Sequence, residues 1–348
     1  MKTGDQLESQ SLILMVATMV GHLGNYVYHV ITGRMLSSAE YGLLMALFGM
    51  INFLLIPMSA LGLALTRAVS VDLQDHHGSG LKQMGRQWTM GMCFTALILL
   101  TAAFIFSDRL QVLLGFSRSA PILLAACIPG INLLLTLSGS LLQGLQQFKS
   151  LALRGSVLFV LRALLVGFCL WFGWRAAGWA LFAHLMGMAG ALAISIWMIF
   201  KHAPKADKQS APGALPILSK AFAAMPVLFA FSILMTADVI FVRHYFNPDV
   251  SGQFAQAATL GRMVLWLPLP IAQVMFPKVV RNTAANSMQK KTLYKALSYT
   301  VLLVAGALVS GWVMAPFALQ SMYGIEHPSP DQVAWFRSTA VAMSLLGP

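Results

Sequence analysis

The sequence predicts an all-α, polytopic membrane protein made of two pseudo-repeated helical bundles, and three observations lead there. Of its 348 residues 58% are hydrophobic and only 10% charged, with a mean hydropathy of +0.73, against about 25% charge in soluble chains. Apolar residues gather into about ten runs of the length that crosses a bilayer, near 11–31, 42–65, 88–107, 121–143, 155–173, 177–200, 222–245, 252–276, 295–318 and 333–348. Basic residues sort between these runs. With the amino terminus in the cytoplasm, fifteen lie on that side and five (Arg34, Arg109, Arg118, Arg175 and Arg243) on the other, so the positive-inside rule orients the chain.

The net charge of +12 punctuates apolar segments rather than concentrating on one solvated face, which excludes a nucleic-acid partner. Cys93, Cys127 and Cys169 lie in apolar runs without CxxC spacing, so neither a disulfide framework nor a metal site is expected. No cofactor-binding motif is present. The first run is longer than the apolar core of a signal peptide and is expected to remain as a membrane helix. Trp88, Trp171, Trp174, Trp179 and Trp197 fall near run ends, where an indole sits in the membrane interface.

The longest connections are 66–87 and 201–221. The second, KHAPKADKQSAPGALP and its flanks, has the composition of a mobile linker. Its place divides the chain into an amino-terminal six-helix bundle (1–200), a cytoplasmic linker (201–221) and a carboxy-terminal bundle of about four helices (222–348). The two parts echo one another: Arg34 stands eight residues before Gly42, and Arg243 nine before Gly252, each glycine opening a helix. Six helices return the chain to its starting side, so the repeat would be parallel. His76 and His77, beside Asp72 and Asp75, are expected to be solvated in the first long connection.

Polar groups inside the runs are the functional candidates, because an ionisable side chain there costs about 2.5–3.5 kcal/mol on insertion scales. Thr18, His22, Asn25 and His29 share one face of the first helix at spacings of four, three and four. They either line a hydrated cavity or hydrogen-bond neighbouring helices. Arg162 in the fifth run and Arg262 in the eighth could face a cavity and bind a phosphate or diphosphate bidentately; His184 is in the sixth. Thr259 and Arg262 share a face. Asp238 is either a coupling site for H+ or Na+ or the partner of Arg262 or Arg243. Pro268 and Pro270 interrupt the eighth run as a hinge or local unwinding.

Two motifs carry a family resemblance. GRMLSSAEYGLLMAL resembles the Arg-x-Leu-(Gly)-x-x-x-Tyr-Gly signature after the first helix of lipid-linked oligosaccharide flippases, the polysaccharide-type members of the multidrug/oligosaccharidyl-lipid/polysaccharide exporter superfamily. Arg34, Leu36, Tyr41 and Gly42 match, with Ser37 where glycine is usual. TADVIFVRHYFNPDVSGQFAQAATLGRMV is similar to the seventh and eighth helices of that family, with Asp238, Pro248, Gly252 and Phe254 in place. The resemblance implies two six-helix bundles around a cationic cavity, alternating access, and a multi-pass protein of the bacterial inner membrane. It also implies export of an undecaprenyl-diphosphate-linked glycan, with polysaccharide-assembly proteins as further partners. The family has 12 or 14 helices, so ending within the tenth implies a truncated chain or an abbreviated second bundle.

A cation-coupled drug exporter of the same superfamily is the alternative within transport; it would need a carboxylate in the first bundle, and none lies mid-span there. A membrane-embedded polysaccharide polymerase or ligase would need acid–base or nucleophilic groups gathered on a substantial outer loop, and the outer loops are short. The expected protein is therefore a transporter and not an enzyme.

Overall fold

A computed structural model describes residues 4–75, 81–114, 120–202, 214–266 and 286–345, and its regular structure there is entirely helical. The helices are α1 (Gly4–Met35), α2 (Ser38–Asp75), α3 (Leu81–Ile105), α4 (Ser107–Leu114), α5 (Ala120–Gly144), α6 (Phe148–Trp171), α7 (Ala177–His202), α8 (Ala214–Tyr245), α9 (Pro248–Trp266), α10 (Asn286–Tyr323) and α11 (Pro330–Leu345). Seven of the described helices are long and apolar enough to cross a membrane.

Short polar corners separate these helices, and the capping chemistry of each is local. Ser37 Oγ accepts the Glu40 amide (3.3 Å) to start α2. Asn247 Oδ1 accepts the Val250 amide (2.8 Å) and Pro248 takes the first helical position of α9. Ser329 and Gln332 form a reciprocal capping box at α11, with bonds of 3.2 and 2.9 Å. Gly324, at φ +70°, ends α10 in the left-handed conformation that a side chain would disfavour. Glu40 reaches further, accepting the Ala177 amide (2.7 Å) so that its carboxylate caps α7.

Packing falls into two groups. In one, α1 and α7 flank α6, and α5 lies against α2, α3 and α7; in the other, α9 and α10 pack on α11. The α2 and α8 helices form the long seam between them: Gly49 faces Ile240, Phe53 meets Phe229 with ring centroids 6.1 Å apart, and Ile217 and Ala221 join a core cluster with Ala60, Leu65 and Val69. Large apolar side chains stay outside. Phe94, Leu97, Ile98 and Phe104 of α3 and Val301, Leu302, Val309 and Val313 of α10 are exposed. An apolar surface of that extent belongs against lipid tails. The protein is a multi-pass helical membrane protein.

The helices overrun the apolar runs at several ends. α2 extends from the expected 42–65 to 38–75, and α3 begins at Leu81 rather than 88, so most of the 66–87 connection is helical. Eight residues of the expected linker, 214–221, belong to α8. Hydropathy falls at the first charged side chains, whereas backbone hydrogen bonding continues beyond the hydrocarbon. α4 was not legible as an apolar run because it is only eight residues long. α9 is described to Trp266; Pro268, Pro270, His76 and His77 lie outside the described residues.

Candidate functional site

The first group of helices buries a cation. Arg162 on α6 is 4% exposed, its guanidinium bonded to Asn25 Oδ1 of α1 and at 2.9 Å from His184 Nδ1 of α7. It lies 3.9 Å over the Tyr28 ring and 5.5 Å from the Phe159 ring. Tyr28 is fixed in turn by its hydroxyl, which donates to the Ala180 carbonyl (3.1 Å). Gly187 lets α7 approach α6 closely beside Arg162: a Cβ on it would stand 2.7 Å from the Leu158 carbonyl oxygen and 3.0 Å from Arg162 Cβ. Such a face-on cation and ring is worth about 2 kcal/mol when desolvated. No salt bridge to Arg162 exists among the described residues, and its Nε is buried without a partner there.

Of the polar stripe on α1, Asn25 therefore reaches Arg162. His29 is half-buried and stacks edge-on against Tyr28 (5.5 Å), with Nδ1 buried and unpartnered among the described residues. The side chains of Thr18 and His22 lie outside the described residues. Tyr28 and His184 complete the cluster. Tyr28 stands three residues after Asn25, on the same face, and that spacing was the available signal for it.

The second charged site joins α8 to α9. Arg262 Nη2 bonds Asp238 Oδ1 as an ion pair, the side chains being 17% and 36% exposed, respectively. Asp238 also accepts the Val239 amide (2.8 Å). Thr259, one turn before Arg262, places its hydroxyl 3.8 Å from Met45 Sδ of α2. Counting along the helices at 1.5 Å per residue, Asn25, Arg162, His184 and Asp238 all lie about 10–15 Å from the helix ends at Met35, Trp171, Ala177 and Tyr245. The two charged sites are thus at similar depth.

Those same ends lock the two groups together. Arg34 donates to the carbonyls of Ser321 and Met322, the latter at 3.0 Å, and Arg243 donates to the Ala39 carbonyl (3.3 Å). Tyr41 and Tyr323 hydroxyls meet at 3.3 Å, and Gln256 Nε2 donates to the Gly33 carbonyl (3.2 Å). Gly42 and Gly252 face one another: a Cβ on Gly252 would lie 1.8 Å from the Ser38 carbonyl oxygen, and one on Gly42 would lie 2.8 Å from the Gly252 nitrogen. Arg34 of α1 bonds backbone of α10, Arg243 of α8 bonds backbone of α2, and the two glycines of the repeated Arg…Gly pattern touch.

Two further groups carried no clear signal in the sequence. Asp72 is 2% exposed in the last turns of α2, with neither carboxylate oxygen hydrogen-bonded among the described residues. Its neighbourhood of charges gives it the pattern of a loop. Arg154 lays its guanidinium on Gly139 of α5, where a Cβ would stand 2.1 Å from Nη1. No metal-holding group of His, Cys, Asp or Glu occurs among the described residues.

Comparison with known proteins agrees with this architecture. Residues 9–283 match the family described as polysaccharide biosynthesis protein. A search of curated proteins finds no match. Among solved structures, a multidrug resistance MATE family transporter of the MOP superfamily in an inward-facing conformation superposes with a TM-score of 0.78 at 12% identity, over 97% of this chain and 81% of that one. The MATE multidrug transporter DinF-BH, solved with a bound ligand, gives 0.72 at 15% identity, over 98% and 78%. A MOP superfamily transporter from Pyrococcus furiosus, described as having a binding pocket of reverse polarity, gives 0.66 at 13% identity, over 96% and 76%. The likenesses to solved structures establish the fold, the family match covers most of the sequence, and the chain accordingly belongs to the polysaccharide biosynthesis protein family, with the architecture of MOP-superfamily membrane transporters.

Proposed function

We propose that this protein moves an undecaprenyl-diphosphate-linked oligosaccharide from the cytoplasmic to the outer leaflet of the bacterial inner membrane by alternating access. The observation that carries the reading is Arg162, a buried guanidinium without a carboxylate partner among the described residues. A cation desolvated in this way favours an anion, and its field acts over a longer range in a low-dielectric interior than in water. A diphosphate headgroup supplies such an anion, while its polyprenyl tail remains in lipid. The locked ends near Gly42 and Gly252 would face outward under the positive-inside orientation, so the headgroup enters from the opposite, cytoplasmic side. Parting of α2 from α9 at those ends then releases it. H+, Na+ or the membrane potential would supply direction.

The deciding experiment compares lipid-linked glycan pools and surface polysaccharide in a strain lacking the gene, with and without the 348-residue chain supplied on a plasmid. The expected result is a pool accumulating on the cytoplasmic face, loss of surface glycan, and restoration by the plasmid. An unchanged pool with altered tolerance to cationic drugs would replace this reading with the cation-coupled exporter.

Arg262 has a separate test because Asp238 neutralises it. Arg262→Gln alone strands Asp238 and is expected to lower thermal stability by about 1–3 kcal/mol, the cost of an unmet charged acceptor tempered by solvent access. The double variant Asp238→Asn, Arg262→Gln should regain stability, read as the melting temperature of the purified protein, without regaining export. Recovery of both would make the pair purely structural.

A further inference from the structure

We propose that the pocket where the α1–α2 and α10–α11 corners meet α9 is a binding site for a neutral sugar unit, assembled from both groups of helices. Its volume is about 420 Å³, within the range of about 300–1,000 Å³ typical of small-ligand sites. Arg34, Ser38, Gln253, Gln256, His327 and Gln332 line it, and no carboxylate among the described residues does.

The bonds already made inside the wall decide which ligand suits it. Arg34 spends its Nε and one Nη2 donor on the Met322 and Ser321 carbonyls and keeps the remaining N–H groups of its five for a ligand. Gln256 must turn its nitrogen to the Gly33 carbonyl, which leaves its side-chain oxygen as an acceptor for the pocket. Gln332 must turn its oxygen to the Ser329 amide, which leaves its nitrogen as a donor. Backbone partners force both amide orientations. Gln253 adds a whole amide and Ser38 a hydroxyl, each able to donate or accept.

That mixture separates the ligand classes. A phosphate or carboxylate only accepts: it would find the Arg34 donors but would meet the Gln256 oxygen unfavourably and leave that acceptor unmet. A metal ion or ammonium would find no anionic ligand among the described residues. Sugar hydroxyls both donate and accept, and so can meet the Gln256 oxygen, the Gln332 nitrogen and the Arg34 donors together. Because Ser38 and Arg34 come from one group of helices and the glutamines from the other, a bound sugar ties the groups together. It would therefore favour this locked arrangement over the open one. The inference rests on the pocket's donors and acceptors, so it stands apart from the lipid carrier and the direction of transport.

The test uses the full chain purified in detergent. Glucose, galactose, rhamnose and N-acetylglucosamine are titrated as probes, with inorganic phosphate and glucuronate as charged controls, and amide hydrogen exchange is read at residues 33–38 and 324–332. At least one neutral sugar is expected to protect these segments saturably. Gln253→Leu should weaken it about tenfold or more, the loss of a hydrogen-bonding amide. His327→Ala, at an exposed position, is a second variant expected to weaken binding should Gln253→Leu lower the melting temperature. No saturable protection by any neutral sugar, protection undiminished in both variants, or protection by phosphate or glucuronate instead would each overturn the assignment.

Discussion

Gly252→Val is expected to abolish export while leaving a folded, membrane-inserted protein. A Cβ there would stand 1.8 Å from the Ser38 carbonyl oxygen and 2.3 Å from its carbon, and both are backbone atoms that no rotamer change can move aside. Overpacking within a core costs about 1–3 kcal/mol. Here the overlap falls between two groups of helices, so it is relieved by parting them rather than by unfolding either. A bias of one or two kcal/mol changes the ratio of locked to unlocked protein by about 5–30-fold. Alanine should be milder at Gly42 than at Gly252, because its nearest contacts are 2.8–2.9 Å rather than 1.8 Å. Surface glycan reports the loss of export, and the labelling of Thr259→Cys reports the parting of the helices. Wild-type export together with wild-type labelling in Gly252→Val would remove the lock from the transport cycle.

Loss of the Arg162 charge should have the next largest effect. Arg162→Gln keeps a polar group able to reach Asn25 or His184 but removes the cation over Tyr28, so export is expected to fall by about tenfold or more from a protein made in normal amount. Arg162→Lys retains the charge without the planar two-pronged donor and should fall between. The comparison separates two roles. A purely structural arginine would make export track the amount of folded protein in both variants, whereas an anion-attracting one makes lysine better than glutamine at equal protein level. Equal export by glutamine and arginine would sink the anion-attracting role of Arg162.

The class of protein is legible in the amino-acid sequence because the properties that define it are local and additive. Hydropathy summed along α3, α5 or α10 does not depend on what each helix touches, and the corner at Asn247 and Pro248 is written in four adjacent residues. The Arg34…Gly42 and Arg243…Gly252 echo is visible as a pattern. That these glycines press on one another, and that each arginine bonds distant backbone, is not, since no local rule relates residues two hundred or more positions apart.

Charges show the same division. Sequence alone placed Arg162, Asp238 and Arg262 within apolar runs, where the cost of an ionisable group in hydrocarbon calls for partners. Only the tertiary structure decided the partners: Arg262 for Asp238, and an amide, an imidazole and two aromatic rings for Arg162. It also moved Asp72 from an expected loop into a buried helix end. Burial and pairing are set by which helices converge, and convergence depends on the close approach of distant small residues such as Gly42, Gly187 and Gly252.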